Sequence, residues 1–202
     1  MSTPTATWPR LRPLDAGRLD ALVTALVDAP LTYDEQGATA GSLPCGYFHV
    51  EREWELGRGE ACYEVARRAL GEWRMLPSAS WFRVHPDPTV AASGDVLTWS
   101  IKLLGVWWFS AVRLLQQADA SSGERAVSVT IGTLPGHYGC GEERFEVVWL
   151  EDDRVVYRLR SFSRWSRWMP RLAPWIVRSA QRRFGVQSGA GMLRAVREGS
   201  VS

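Results

Sequence analysis

The chain reads as a single α+β domain: a curved antiparallel sheet of about seven strands wrapped around a long C-terminal helix, with a pocket enclosed between them. Three observations predict this. Six strand-like runs follow one another between 80 and 163, separated only by short, turn-rich links, and short links force antiparallel neighbours. The last run, 165–196, has helical periodicity and is the one large apolar element left to cover a sheet face. Eleven Trp are spread through 202 residues. A core can be filled by Leu, Ile and Val, so this many flat indoles, each with one N–H donor, suit the walls of a cavity.

The bulk numbers fit one globular domain. A chain of this length can bury roughly 70% of its unfolded surface, and 46% apolar with 23% charged residues argues against disorder. Three Cys, with no CxxC pair, read as reduced thiols. The first residues lack the apolar stretch of a secretory signal. The longest strongly apolar run, 106–112, is far short of a membrane span. A cytoplasmic location is therefore expected. Net charge is +2, but eleven Arg and no Asp or Glu fall within 154–197. That asymmetry reads as a solvated basic face, or as a surface for an anionic partner such as an acidic carrier protein, a membrane or nucleic acid. Arg outnumbers Lys 23 to 1, which reads first as a high-GC coding bias rather than phosphate recognition, and no nucleic-acid partner is expected.

Taken in order, 1–13 is expected to be a flexible arm and 14–197 one domain. Asp15 can cap a first helix, with Leu14 stapled onto Leu19 and Leu22, Val23, Leu26 and Val27 extending the apolar stripe, up to Pro30. Residues 31–44 form a Gly- and Thr-rich loop that could fold over the pocket mouth, with Tyr33 and Glu35 in it. A strand spans 46–55, with Phe48, Val50 and Trp54 on one face and Glu51, Glu53 and Glu55 on the other; Gly57 and Gly59 should break it. A helix follows over 60–75. Strands are expected at 80–85, 95–102, 107–118, 126–133, 142–150 and 154–163. In the final helix, Pro170 and Pro174 limit the start, and Gly185, Gly189 and Gly191 weaken the end. This is the helix-grip arrangement, in which the space between sheet and helix suits an apolar small molecule.

The segment 132–143, GTLPGHYGCGEE, is the one best equipped for chemistry. Glu143 shares the alternation phase of Phe145, Val147 and Trp149, so it should point inward, while Glu142 has the opposite phase. Val148 and Leu150 make that alternation imperfect. A carboxyl group in an apolar pocket has its pKa raised and can donate a proton near neutral pH. Glu143 is thus the candidate acid, with Glu142 or His137 as proton acceptor. The plain alternatives are a solvated strand-edge Glu and a His that only ties its own turn. Tyr33, Trp54, Trp73 and Trp99 are candidate substrate-binding walls. Trp149, Tyr157 and Trp175 join them. No HExxH, Walker loop, GxGxxG or GxSxG is present, and three scattered His with three scattered Cys do not make a metal site. No cofactor is expected.

Leu31-Thr32-Tyr33-x-Glu35-x-Gly37-Ala38-Thr39, Leu43-Pro44-x-Gly46-Tyr47, Leu56-Gly57-x-Gly59, Trp73-x-Met75, the GTLPGH…GEE block and Phe162-Ser163-Arg164 together resemble the family called domain of unknown function 1990. The resemblance covers about 31–184. It implies a helix-grip fold akin to Bet v 1 and START proteins, whose relatives include carriers of apolar ligands and polyketide cyclases. Some small proteins that close spiroacetal rings look similar in kind. The Trp-rich stretch 103–109 departs from the family pattern. Three functions follow as expectations. The leading one is a cofactor-independent cyclase or isomerase acting on an apolar polyketide-like molecule. The others are a carrier of hydrophobic metabolites and an interaction protein docking through its Arg-rich helix.

Overall fold

A computed structural model describes residues 10–119, 125–165 and 174–199, with backbone alone at 117–119, 174–178 and 180. The strands are β1 (Phe48–Arg58), β2 (Phe82–His85), β3 (Val96–Leu103), β4 (Val106–Asp119), β5 (Arg125–Thr133), β6 (Gly139–Trp149) and β7 (Arg154–Trp165). The helices are α1 (Ala16–Leu26), α2 (Gly59–Gly71) and α3 (Pro174–Gly199). One antiparallel sheet has the order β1-β7-β6-β5-β4-β3-β2. The hairpins β2 to β7 form a meander, and β1 returns to pair with the last strand.

Alternation gives the sheet two differently covered faces. Leu97, Val112, Val129, Phe145, Val147, Tyr157 and Leu159 point to the inner side, where they pack with Ala66 and Leu70 of α2 and Met192 and Val196 of α3. The inner face is therefore covered by two helices, where the sequence pattern pointed to the last one alone. The outer face is also partly buried. Leu22 and Leu26 of α1 pack on Val96 and Ala111, and Leu14 packs on Trp107 and Phe109 with Leu19. Asp15 caps α1 by accepting from the Arg18 N–H at 2.9 Å. Arg113 closes the other end of the helix, donating to the carbonyls of Leu26, Val27 and Ala29. Arg10 pairs with Trp107 along the outer edge of β4.

Four expectations need correction. The glycines at 57 and 59 do not break β1, which runs through a bulge at Gly57 to Arg58, with α2 following at once. The helix α2 stops at Gly71, because Trp73 takes a left-handed φ of 55° that a helix cannot propagate. That conformation is held by burial of the Trp73 ring in the core. The chain is still a strand at Trp165, where a helix was expected to begin. Gly185, Gly189 and Gly191 all lie inside α3 without ending it, and the last two let neighbours approach it. A methyl group on Gly189 would lie 2.3 Å from the Trp54 ring, and one on Gly191 would lie 2.4 Å from the Arg74 carbonyl oxygen. Because Trp54 is itself stacked on Tyr157, Gly189→Ala is expected to cost about 1–3 kcal/mol, measured as a lowered urea midpoint at unchanged slope.

The β1–β7 pair explains part of the charge pattern. Arg160 meets Glu51 at 3.1 Å, Arg158 meets Glu53 at 2.7 Å, and Arg154 meets Asp152 at 2.7 Å. Three of the eleven arginines counted in the basic stretch thus face carboxylates across or along the outer sheet face.

Candidate functional site

The site begins with the turn between β5 and β6. The His137 N–H bonds the Leu134 carbonyl, and Gly136 supplies a φ of 90°. Beyond the turn, the Gly141 N–H donates to the Thr133 hydroxyl at 2.9 Å. A Cβ on Gly141 would stand 1.9 Å from the Phe162 carbonyl oxygen. Gly141 therefore brings β6 close against β7 immediately before the two glutamates, and the next two residues diverge to opposite faces. Gly141→Ala is expected to cost about 3 kcal/mol or more, since backbone rather than a flexible side chain must move; thermal unfolding would show it.

Glu143 points inward. It pairs with Ile131 on one side and Ser161 on the other, in phase with core residues Phe145 and Leu159. It makes no hydrogen bond or ion pair with any described residue. Burial pushes its carboxyl up to about 8. The side chain is nonetheless only half-buried. Along the inner face of β7 and β1, Tyr157 and Leu159 are sealed, Ser161, Ser163 and Val50 are half-buried, and Phe48 is 51% exposed. Glu143 stands at the border, where the packed layer opens.

Glu142 points outward and is saturated. Its carboxylate accepts from the Tyr33 hydroxyl at 3.0 Å, the Gly37 N–H at 2.7 Å, the Thr39 N–H at 3.1 Å and the Thr39 hydroxyl. It is 3% exposed. This corrects two expectations with one cause. Glu142 has no spare lone pair for a substrate proton, and the early loop folds over the outer face rather than the pocket mouth. Tyr33, edge-on to Phe162 at 5.4 Å, goes with it and lines no inner wall. Tyr47 packs on Phe162 from the same side and donates to Glu35 at 2.6 Å.

His137 is buried, and loss of hydration holds its imidazole down at about 4, so it is neutral at ordinary pH. Nδ1 accepts from the Gly139 N–H at 2.9 Å. The ring is thus engaged with its own turn. Its depressed folded pKa means that folding stability should fall as pH drops from about 6.5 to about 4, because the unfolded chain takes up the proton first. Tyr138, its ring tilted at 34° to that of His137 with centroids 4.3 Å apart, is the residue the sequence reading passed over. Burial and then the Glu143 charge raise its phenol, and the Glu143 charge acts in the same direction on Tyr157. No spacing rule separates it from His137 in the same loop.

The other wall candidates fall at different places. Trp54 stacks on Tyr157 at 5.5 Å beneath α3, and the Tyr157 hydroxyl meets the Ser188 hydroxyl at 2.6 Å. Trp99 stacks on Phe184 of α3 at 5.6 Å, and Trp73 lies in the same core. Trp149 sits at the far end of β6, stacked on Tyr63 and donating to Asp153 at 3.0 Å. The Trp175 side chain lies outside the described residues. Among the described residues no three His, Cys, Asp or Glu side chains could hold a metal ion, and no helix is long and apolar enough to cross a membrane.

A seven-stranded antiparallel sheet gripping a C-terminal helix, with an inward carboxyl where the layer opens, defines a protein of the helix-grip class. Residues 32–191 match the family model described as "Domain of unknown function (DUF1990)", and the chain belongs to that family. A UPF0548 protein of Dictyostelium discoideum is 32% identical over 151 residues, 70% of this chain and 69% of that one. One from Deinococcus radiodurans is 29% identical over 195 residues, 91% of this chain and 96% of that one. Among solved structures, the Zhui aromatase/cyclase from a Streptomyces species is similar over 75% of this chain and 94% of its own, at 16% identity and a TM-score of 0.46. Norcoclaurine synthase from Thalictrum flavum is similar over 84% and 93%, at 13% identity and a TM-score of 0.42.

Proposed function

We propose that the protein is a cofactor-independent cyclase or isomerase for an apolar, polyketide-like hydroxy-ketone, with Glu143 as its acid. One observation carries this reading: an inward carboxyl at the open border of an apolar layer, without a partner among the described residues and held protonated up to about pH 8. Such a group protonates an oxygen that then leaves. In spiroacetal formation, Glu143 would protonate a hemiacetal hydroxyl. The C–O bond breaks and water departs, the second hydroxyl attacks the oxocarbenium carbon, and its proton returns to the Glu143 carboxylate. One carboxyl serves both half-steps, so neither Glu142 nor His137 is needed as base. Tyr138, kept a neutral phenol by burial, would hold the reacting oxygen. The aromatic layer would keep the chain folded, a contribution from proximity.

The test is turnover. Dihydroxy-ketones of graded length are incubated with the wild type and with Glu143→Gln, and loss of water is followed by mass spectrometry. Product from the wild type alone supports the reading. Binding to both without product from either overturns it in favour of a carrier of hydrophobic metabolites.

A further inference from the structure

Seven buried side-chain polar atoms have no hydrogen-bond partner among the described residues. Two, on Ser128 and Thr130, lie on the outer face of β5, opposite Glu146 and Arg144. The other five belong to one region: Nε1 of Trp81, Trp99 and Trp108, Oγ of Ser110 and Oε1 of Gln187. Trp107, Phe109 and Ala111 face outward, so Trp108 and Ser110 face inward. Ser110 is directly opposite Trp99, and Trp108 is opposite Ile101, a placement that brings Trp99, Ser110 and Trp108 within side-chain reach of one another. Above them, Phe184 of α3 stacks on Trp99, and Gln187 lies one helical turn further on the same side. Trp99 is 4% exposed and Ser110 1% exposed. Each unpaired buried group of this kind destabilises the fold, and several in one apolar layer call for a common partner.

We infer that the layer between β3, β4 and α3 is a subsite for an oxygenated ligand: the indole N–H groups of Trp99 and Trp108 and the Ser110 hydroxyl donate to its carbonyl or ether oxygens, and Gln187 accepts from its hydroxyl. The inference deepens the proposed function, because it rests on the inner layer taking an apolar ligand and specifies that the ligand carries both acceptor oxygens and a hydroxyl. Register fixes the relation to the acid. Val112 pairs with Thr133, two residues beyond the partner of Glu143, and Ser110 lies two further on, towards the exposed end at Phe48. Two strand spacings and four residues separate Ser110 from Glu143, on the order of 15 Å between Cα atoms. A ligand touching both is elongated or polycyclic, with oxygens at both ends.

The experiment is a cycle of two proteins and two probes, 9-fluorenone and fluorene, followed by calorimetry with wild type and Ser110→Ala. The ratio of ketone to hydrocarbon affinity is expected to drop about five- to tenfold in the variant, while fluorene binding stays the same. Without ligand, the variant should unfold no earlier than the wild type, since an unpaired hydroxyl has been removed. Trp99→Phe should lower the same ratio, which guards against an effect peculiar to one position. An unchanged ratio, or equal loss of both probes, overturns the subsite while leaving Glu143 to be judged by turnover. Earlier unfolding of ligand-free Ser110→Ala also overturns it, because the hydroxyl would then have a partner within the protein. If neither probe binds to the wild type, the subsite is overturned, and product formation from dihydroxy-ketones decides the catalytic reading separately.

Discussion

Glu143→Gln is expected to lower turnover of a competent hydroxy-ketone about a hundredfold or more, close to 2.7 kcal/mol of barrier, with ligand affinity almost unchanged. Gln has the shape of the protonated acid and no proton to give, so binding and chemistry separate cleanly. Wild-type turnover should decline above about pH 8, where the carboxyl ionises, and the variant's residual rate should lack that limb. Stability supplies an independent check. The folded carboxyl titrates near 8 against an unfolded value of 4.5. Between those values the folded protein holds a proton that the unfolded chain has released. Wild-type stability therefore falls as pH rises through that interval, by at most about 1.4 kcal/mol per pH unit. The solvent-accessible part of the side chain makes the slope shallower. Glu143→Gln should be flatter across this interval in urea midpoints, and parallel curves for the two proteins would show that Glu143 is ionised like a surface carboxylate.

Glu142→Ala should have the largest effect on folding, about 3–5 kcal/mol. The substitution strands two backbone N–H groups, a phenol and a hydroxyl that now converge on one carboxylate. Water can reach some of them once the loop lifts, so the loss should appear both as a lowered urea midpoint and as faster proteolysis within 31–41. Tyr33→Phe removes one donor and leaves the others in place, with an expected cost near 1 kcal/mol. Turnover per folded molecule should persist in Tyr33→Phe, because this cluster is on the outer face. A Tyr33→Phe protein that is stable yet inactive would instead place the early loop in the reaction.

The adjacent glutamates show what can be read along a chain and what cannot. Alternation with Phe145 and Val147 is a local property, and it places Glu143 inside and Glu142 outside. It does not say what lies against either face. The donors that saturate Glu142 come from residues more than one hundred positions earlier, and no period in 31–41 announces that pairing. The same limit applies to the glycines of α3. Gly185, Gly189 and Gly191 read as helix-weakening by propensity, whereas at Gly189 and Gly191 contacts with Trp54 and Arg74 fill the space a side chain would take. Packing outweighs a propensity cost of about 1 kcal/mol per glycine. The Trp count pointed to walls around a pocket. In the structure, Trp107 serves the outer face under Leu14, Trp149 caps the far end of the sheet, and Trp99 and Trp108 stand in the layer with unpaired N–H groups.

Periodicity and punctuation by themselves determined seven strands, their antiparallel pairing through short links, the α1 cap at Asp15 and the inward phase of Glu143, because each depends on residues only a few positions apart. Tertiary structure alone decided that two helices cover the inner face, that the early loop is fastened to Glu142 on the outside, and that unpaired polar groups gather between β3, β4 and α3. Those are contacts across long separations, set by how whole faces fit together and by where buried polar groups find or lack partners.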